Sequence, residues 1–95
     1  MIREEGDRLY ISGAVTLNTA KQLLEATGER LGGSRKIIDF SEAGEIDSSA
    51  VSLMLEWSRK ARAAGGEVRF ANLGDAITSL TDLYGVEDLI AIDVK

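Results

Sequence analysis

The 95-residue chain contains no cysteine, no histidine and no proline. Without cysteine it can form no disulfide and offers no thiolate, which suits a reducing compartment. Without histidine, imidazole acid–base catalysis and most zinc sites are excluded. The lack of proline removes one helix and turn signal, so element boundaries rest on glycine and capping residues. Long apolar runs are also missing. No stretch approaches the ~18 residues of a membrane span, and the acidic opening MIREEGDRLYISG has no apolar core for a signal peptide. A cytoplasmic location is expected. Excess positive charge is absent too: 16 acidic residues against 11 basic give a net charge of −5. The overall field should repel nucleic-acid backbones and anionic lipid surfaces, which argues against nucleic-acid binding or direct membrane insertion. Arg59, Lys60 and Arg62 form a local basic run that reads first as the solvated face of a helix.

What is present is an ordinary globular composition, 44% hydrophobic and 28% charged. One domain over residues 1–95 is expected, burying roughly 60–65% of the surface its unfolded chain exposes. The stretch from Ile37 to Gly66, IIDFSEAGEIDSSAVSLMLEWSRKARAAGG, organises the rest and reads as strand, loop, helix. Lys36 to Phe40 is a short β-branched run suited to a buried strand. Asp47, Ser48 and Ser49 then stand just before a helical pattern, where a helix N-terminus leaves unsatisfied N–H groups and a partial positive charge. The ordinary reading is an N-cap by one of them, worth ~1 kcal/mol.

The helix is expected from about Ser49 to Ala64, closed by Gly65 and Gly66. Ala50, Leu53, Met54, Trp57, Ala61 and Ala64 form its stripe, with Val51 and Leu55 beside it, an apolar arc wider than a single contact needs. Trp57 therefore has two readings, core packing against another helix or an anchor for a partner protein.

Upstream, Arg8 to Ser12 and Ala14–Val15 read as one or two short strands bent at Gly13. Thr19 with Gln22 fits a capping box before Ala20, Leu24, Thr27 and Leu31 at helical spacing, with Gly32 and Gly33 as a stop. Downstream, Glu67 to Ala71 alternates as a strand. Asn72 or Asp75 can cap a helix through Leu73, Ile77, Leu80 and Tyr84 that ends at Gly85, and Val86 to Val94 reads as a turn and a last strand or tail. Alternating strands and helices predict an α/β fold, a small mixed sheet with helices packed mainly on one face.

Catalysis finds little support. Asp39, Glu42, Glu45 and Asp47 cluster in sequence and could hold Mg²⁺ or share a proton, but no metal-loop spacing and no phosphate-binding glycine loop is present. No residue near the serines is of a type that usually activates a nucleophile, and Lys60 lies a helix away. The expectation is a non-enzyme without cofactor or metal.

The segment DFSEAGEIDSSAVSLML resembles the signature of the STAS domain, the fold of anti-sigma-factor antagonists. AAGGEVRFANLGDAITSLTDLYGVEDL, from Ala63 to Leu89, is similar to that family's second half, so the resemblance covers nearly the whole chain. It implies a protein-binding module in which Ser48 falls where antagonists carry the serine that is phosphorylated. In that branch the partner is a kinase that is itself an anti-sigma factor, and phosphate at Ser48 would bring about −1.5 to −2 charges beside Asp47. LEWSRKARAAGGEVRFANL and LTDLYGVEDLI look more like a second branch, the cytoplasmic STAS subunit of the Mla-type ABC system. There the domain holds the ATPase subunit of a phospholipid transporter that maintains outer-membrane lipid asymmetry. Departures are Ala50, where the family often has Gly, and Gly74, where it often has Pro; the Mla-type branch commonly has Thr at the position of Ser48, which keeps the hydroxyl. The hydroxyl-rich helix start and the wide apolar arc make the loop from Ser41 to Asp47, with Ser48, Ser49, Ser52 and Arg59, the expected docking surface, and the resemblance implies a nucleotide-hydrolysing partner.

Overall fold

The computed structural model describes residues 2–28 and 35–86. Strands β1 (Ile2–Glu5) and β2 (Arg8–Ile11) form an antiparallel hairpin turning at Gly6, whose φ of +61° suits glycine. β1 is a strand that the sequence reading lacked. Its Arg3, Glu4 and Glu5 are exposed at the sheet edge, where charged residues are tolerated and discourage further pairing. The chain bends at Gly13 into β3 (Gly13–Val15), then enters α1 (Leu17–Gly28), β4 (Arg35–Asp39), β5 (Ala43–Ile46), α2 (Ser49–Ala63), β6 (Glu67–Ala71) and α3 (Gly74–Tyr84). The expected stop of the first helix at Gly32–Gly33 and the expected last strand beyond Val86 lie outside the described residues.

The main sheet runs β1-β2-β4-β6, with β2, β4 and β6 mutually parallel and β1 antiparallel, and a small parallel pair joins β3 to β5. β5 corrects the expectation of a plain loop from Ser41 to Asp47. Strand alternation puts Leu9, Ile11, Ile38, Phe40, Val68 and Phe70 on one face, all buried in the core with Leu23, Leu53, Met54 and Ile77 of the three helices. The opposite face carries Arg8, Tyr10, Ile37 and Arg69, all half-buried. On it Asp39 is 2% exposed and held by three donors: the Arg8 Nε at 2.9 Å, the Asn72 Nδ2 at 3.0 Å and the Ser41 N–H at 2.7 Å. Burial pushes this carboxyl up, but the Ser41, Arg8 and Asn72 hydrogen bonds outweigh it and leave Asp39 below the usual carboxylate range.

Two helix starts differ from the sequence reading. α1 begins before Thr19, which is not the first cap. The Thr16 carbonyl accepts the Thr19 and Ala20 N–H groups, and the Thr19 Oγ1 accepts the Thr16 N–H at 2.9 Å, so the capping pair lies three residues earlier. Neither Asn72 nor Asp75 caps α3. Asn72 instead adopts the left-handed conformation, φ +54°, and turns its side chain to Asp39. α2 ends as anticipated, with Gly65 at φ +81° and the Gly66 N–H reaching the Ala61 carbonyl at 2.8 Å. Of its apolar stripe only Ala64 is exposed.

Trp57 is core. It is fully buried, stands 6.3 Å in ring-centroid distance from both Phe40 and Phe70, and donates its Nε1–H to the Thr27 Oγ1. Thr27 in turn donates to the Leu23 carbonyl at 3.0 Å. The indole therefore ties α1 to α2 with a satisfied donor, and the anchor reading is withdrawn.

Candidate functional site

The start of α2 is built around Asp47. Its Oδ1 accepts the Ser49 N–H at 2.8 Å and its Oδ2 accepts the Leu17 N–H, the first amide of α1, at 3.0 Å. These backbone donors, Leu17 first and Ser49 second, hold the carboxyl below its usual range. Next in line, the Ala50 N–H reaches the Asp47 carbonyl at 3.0 Å and the Val51 N–H the Ser48 carbonyl at 3.1 Å. The opening amides of the helix are thus already satisfied. Ser48 sits at the N-cap position with helical backbone angles, φ −64° and ψ −15°, and its hydroxyl makes no capping bond. Asp47, not a serine, performs that job, so the Ser48 hydroxyl is exposed and free of a structural duty at the helix end.

Asp47, Ser48, Ser49 and Ser52 come together on one ridge of α2. Ser48 and Ser52 are exposed, while Asp47 and Ser49 are half-buried. Arg59 belongs to the same exposed strip but lies eleven residues on, roughly 16 Å along the helix axis. Its guanidinium is bonded to Glu56, with Nε to Oε1 at 3.0 Å, and the pair raises the Arg59 pKa and lowers that of Glu56. Three of the four clustered carboxylates of the sequence are engaged apart from one another: Asp39 faces Arg8, Glu42 is bonded to Arg3, and Asp47 holds backbone amides. Among the described residues no group of three Asp or Glu is arranged to hold a metal ion, and every buried side-chain nitrogen or oxygen has a partner.

An open apolar hollow flanks the ridge on each side. Toward α1 it is lined by Leu17, Ala20, Leu24 and Leu53 together with Ser49 and Ser52. Toward α3 it is lined by Val51, Leu55, Tyr84 and Val86 together with Ser48 and Ser52. Ser52 borders both. Among the described residues the large apolar side chains left exposed are Leu17 at 77%, Leu83 at 75% and Tyr84 at 55%, and two of these three are rims of the hollows. Sequence reasoning missed Leu17 because it started the first helix at Thr19. With the start moved back, Leu17, Ala20 and Leu24 fall on one face at helical spacing. Tyr84 follows the apolar spacing of its helix in sequence, yet at the last turn of α3 it is exposed.

The family model described as "Mlab, STAS domain" matches residues 2–91. Among solved structures the chain resembles the unphosphorylated form of the anti-sigma factor antagonist SpoIIAA, with a TM-score of 0.75 at 15% identity over 100% of this chain and 88% of that one. It also resembles the Thermotoga maritima protein TM1081, a candidate anti-sigma factor antagonist, with a TM-score of 0.77 at 12% identity over 99% of this chain and 86% of that one. At such identities the likeness is one of fold. No curated protein matches the sequence. The mixed sheet, the serine-bearing start of α2 and the family match over nearly the full length agree, and the chain belongs to the STAS domain family.

Proposed function

We propose that this protein is a non-catalytic STAS subunit that docks on, and supports, the ATPase subunit of an ABC transporter moving phospholipids for outer-membrane lipid asymmetry. The observation that carries the docking part is the exposed serine ridge of α2 with an apolar hollow on either side and Leu17 and Tyr84 standing unburied at their rims. Such an apolar patch bordered by hydroxyls is the composition of a protein contact surface. Support for the transporter part comes from the Mlab description of the family model and from the tracts LEWSRKARAAGGEVRFANL and LTDLYGVEDLI. The protein turns nothing over itself. Its effect on the partner is a difference in affinity between partner states. Its place is the cytoplasm, at the inner membrane through that partner.

The fold likeness to SpoIIAA favours a second reading, an anti-sigma-factor antagonist whose partner is a kinase and whose contact is ended by phosphate on Ser48. Co-purification from the native host separates the two. Recovery with an ABC ATPase and permease supports the first reading; recovery with a histidine-kinase-like ATPase moves the assignment to the second. In either complex Ser48→Glu should weaken binding by on the order of tenfold or more, measured by calorimetry. Equal affinity for wild type and variant removes Ser48 from the docking surface, and hydrolysis of ATP by the isolated chain would end the non-catalytic reading.

A further inference from the structure

We propose that Asp47 is a two-ended latch: negative charge added at the Ser48 side chain draws its carboxylate off the first amide of α1 and so loosens the Leu17 rim of the neighbouring hollow. The geometry behind this is local. One oxygen of Asp47 holds the Ser49 N–H at 2.8 Å and the other holds the Leu17 N–H at 3.0 Å, so a single side chain spans the beginnings of two helices. The Asp47 N–H is itself fixed to the Val15 carbonyl at 3.2 Å, which places the carboxylate between β3 and the α2 start.

The three amides that follow Ser48 are all engaged. The Ser49, Ala50 and Val51 amides are bonded respectively to the Asp47 carboxylate, the Asp47 carbonyl and the Ser48 carbonyl. Two of these acceptors are backbone groups held by the helix, and only the first is a side chain that can rotate away. An anion carried by residue 48 is attracted to the N-terminal end of α2 and repelled by the neighbouring carboxylate. Of these three amides, the one it can take is the Ser49 N–H, by displacing Asp47. A carboxylate displaced at one end cannot keep its geometry at the other, and the Leu17 N–H loses its acceptor.

The consequence falls on α1. Its Thr19 and Ala20 amides are bonded within its own first turn, to the Thr16 carbonyl, whereas the Leu17 amide depends on Asp47. The Leu17 side chain is 77% exposed and lines the α1 side of the ridge with Ser49 and Ser52, so its packing adds little hold on its own amide, while the Thr16–Thr19 pair keeps the rest of the turn. Charge at Ser48 then alters the hollow it does not line as well as the one it does. The proposal rests on reading the ridge as a docking surface only for its biological use; the latch is a property of the isolated chain and is tested there.

The test is solvent-exchange NMR on the ¹⁵N-labelled protein, comparing wild type with Asp47→Ala, Ser48→Glu and Ser48→Gln, and with chain carrying phosphoserine at position 48. Asp47→Ala sets the unlatched limit for the Leu17 and Ser49 amides. Ser48→Glu and the phosphoserine chain should bring Leu17 exchange toward that limit, on the order of tenfold above wild type, with core amides such as Ile38 unchanged. Ser48→Gln should remain at the wild-type rate. A Leu17 amide unaffected by either charge, equal acceleration by glutamine, or acceleration spread evenly over the core each overturns the latch. Because no partner is present, failure here leaves the docking reading standing, and loss of partner binding by Ser48→Glu with Leu17 undisturbed would separate the two.

Discussion

Ser48, Asp39 and Trp57 show how differently three polar side chains of one small protein are used. The Ser48 hydroxyl makes no capping bond, so Ser48→Ala should change stability by less than about 0.5 kcal/mol, well under the ~1 kcal/mol that a true cap would cost. Urea denaturation of the two proteins decides it, and a loss of a full kilocalorie would return the serine to a capping role. Asp39 has the opposite character. Its folded-state pKa lies below that of an unfolded aspartate, about 3.9, so its ionised form contributes stability above that pH. The contribution is lost as pH falls through the lower folded value. Asp39→Asn should be destabilised by about 2–3 kcal/mol at pH 7 through the broken Arg8 pair and should show a shallower fall in urea midpoint between pH 5 and pH 3 than wild type. Parallel acid profiles for the two would place the acid sensitivity elsewhere, for example at Asp47 or Glu56, whose carboxyls are also held down. Trp57→Ala should cost about 3–5 kcal/mol, enough to unfold much of so small a domain, whereas Trp57→Phe loses chiefly the Thr27 bond and some volume and should remain folded.

Among the elements, α2 was the most legible in sequence, and the reason is physical. Ala50, Leu53, Met54, Trp57 and Ala61 recur at helical spacing and all are buried, and the glycine pair after it supplies the left-handed residue that ends it. Gly65→Ala places a β-carbon on a residue at φ +81° and should destabilise by about 1 kcal/mol in denaturant titration; an unchanged midpoint would mean that the helix end re-forms elsewhere. β4 and β6 were readable for a like reason, their apolar faces being covered by helices. β1 and β5 were not. IREE has one apolar residue in four, and AGEI contains a glycine and a glutamate, so neither announces a strand; each is held by pairing to a neighbour, which periodicity does not record. The ridge itself could be located from Asp47, Ser48 and Ser49. Which of the three caps turns on a contact only two residues long that residue types do not single out, whereas the Leu17 and Tyr84 borders depend on contacts thirty or more residues apart and could only come from the fold.

For the molecule as a whole, function is expected to reside in one contact region on a scaffold whose buried side-chain polar atoms, among the described residues, all have partners. Leu17→Glu and Tyr84→Glu alter exposed side chains, so each should leave the thermal midpoint nearly unchanged while weakening the partner complex by about tenfold. Calorimetry of each complex beside a melting curve of each free protein checks both halves. Variants that bind as wild type would take the hollows out of the docking surface. The net charge of −5 adds that nucleic acid should be repelled from the protein, most strongly at low salt.

The single tryptophan, locked between α1 and the sheet with its N–H bonded to Thr27, makes the protein its own optical gauge. A partner that only settles on the outer ridge should leave the emission colour where it was, whereas one that prises α1 from α2 should admit water to the indole and shift its light to longer wavelength. A fluorimeter can therefore tell gripping from wedging before any complex is crystallised.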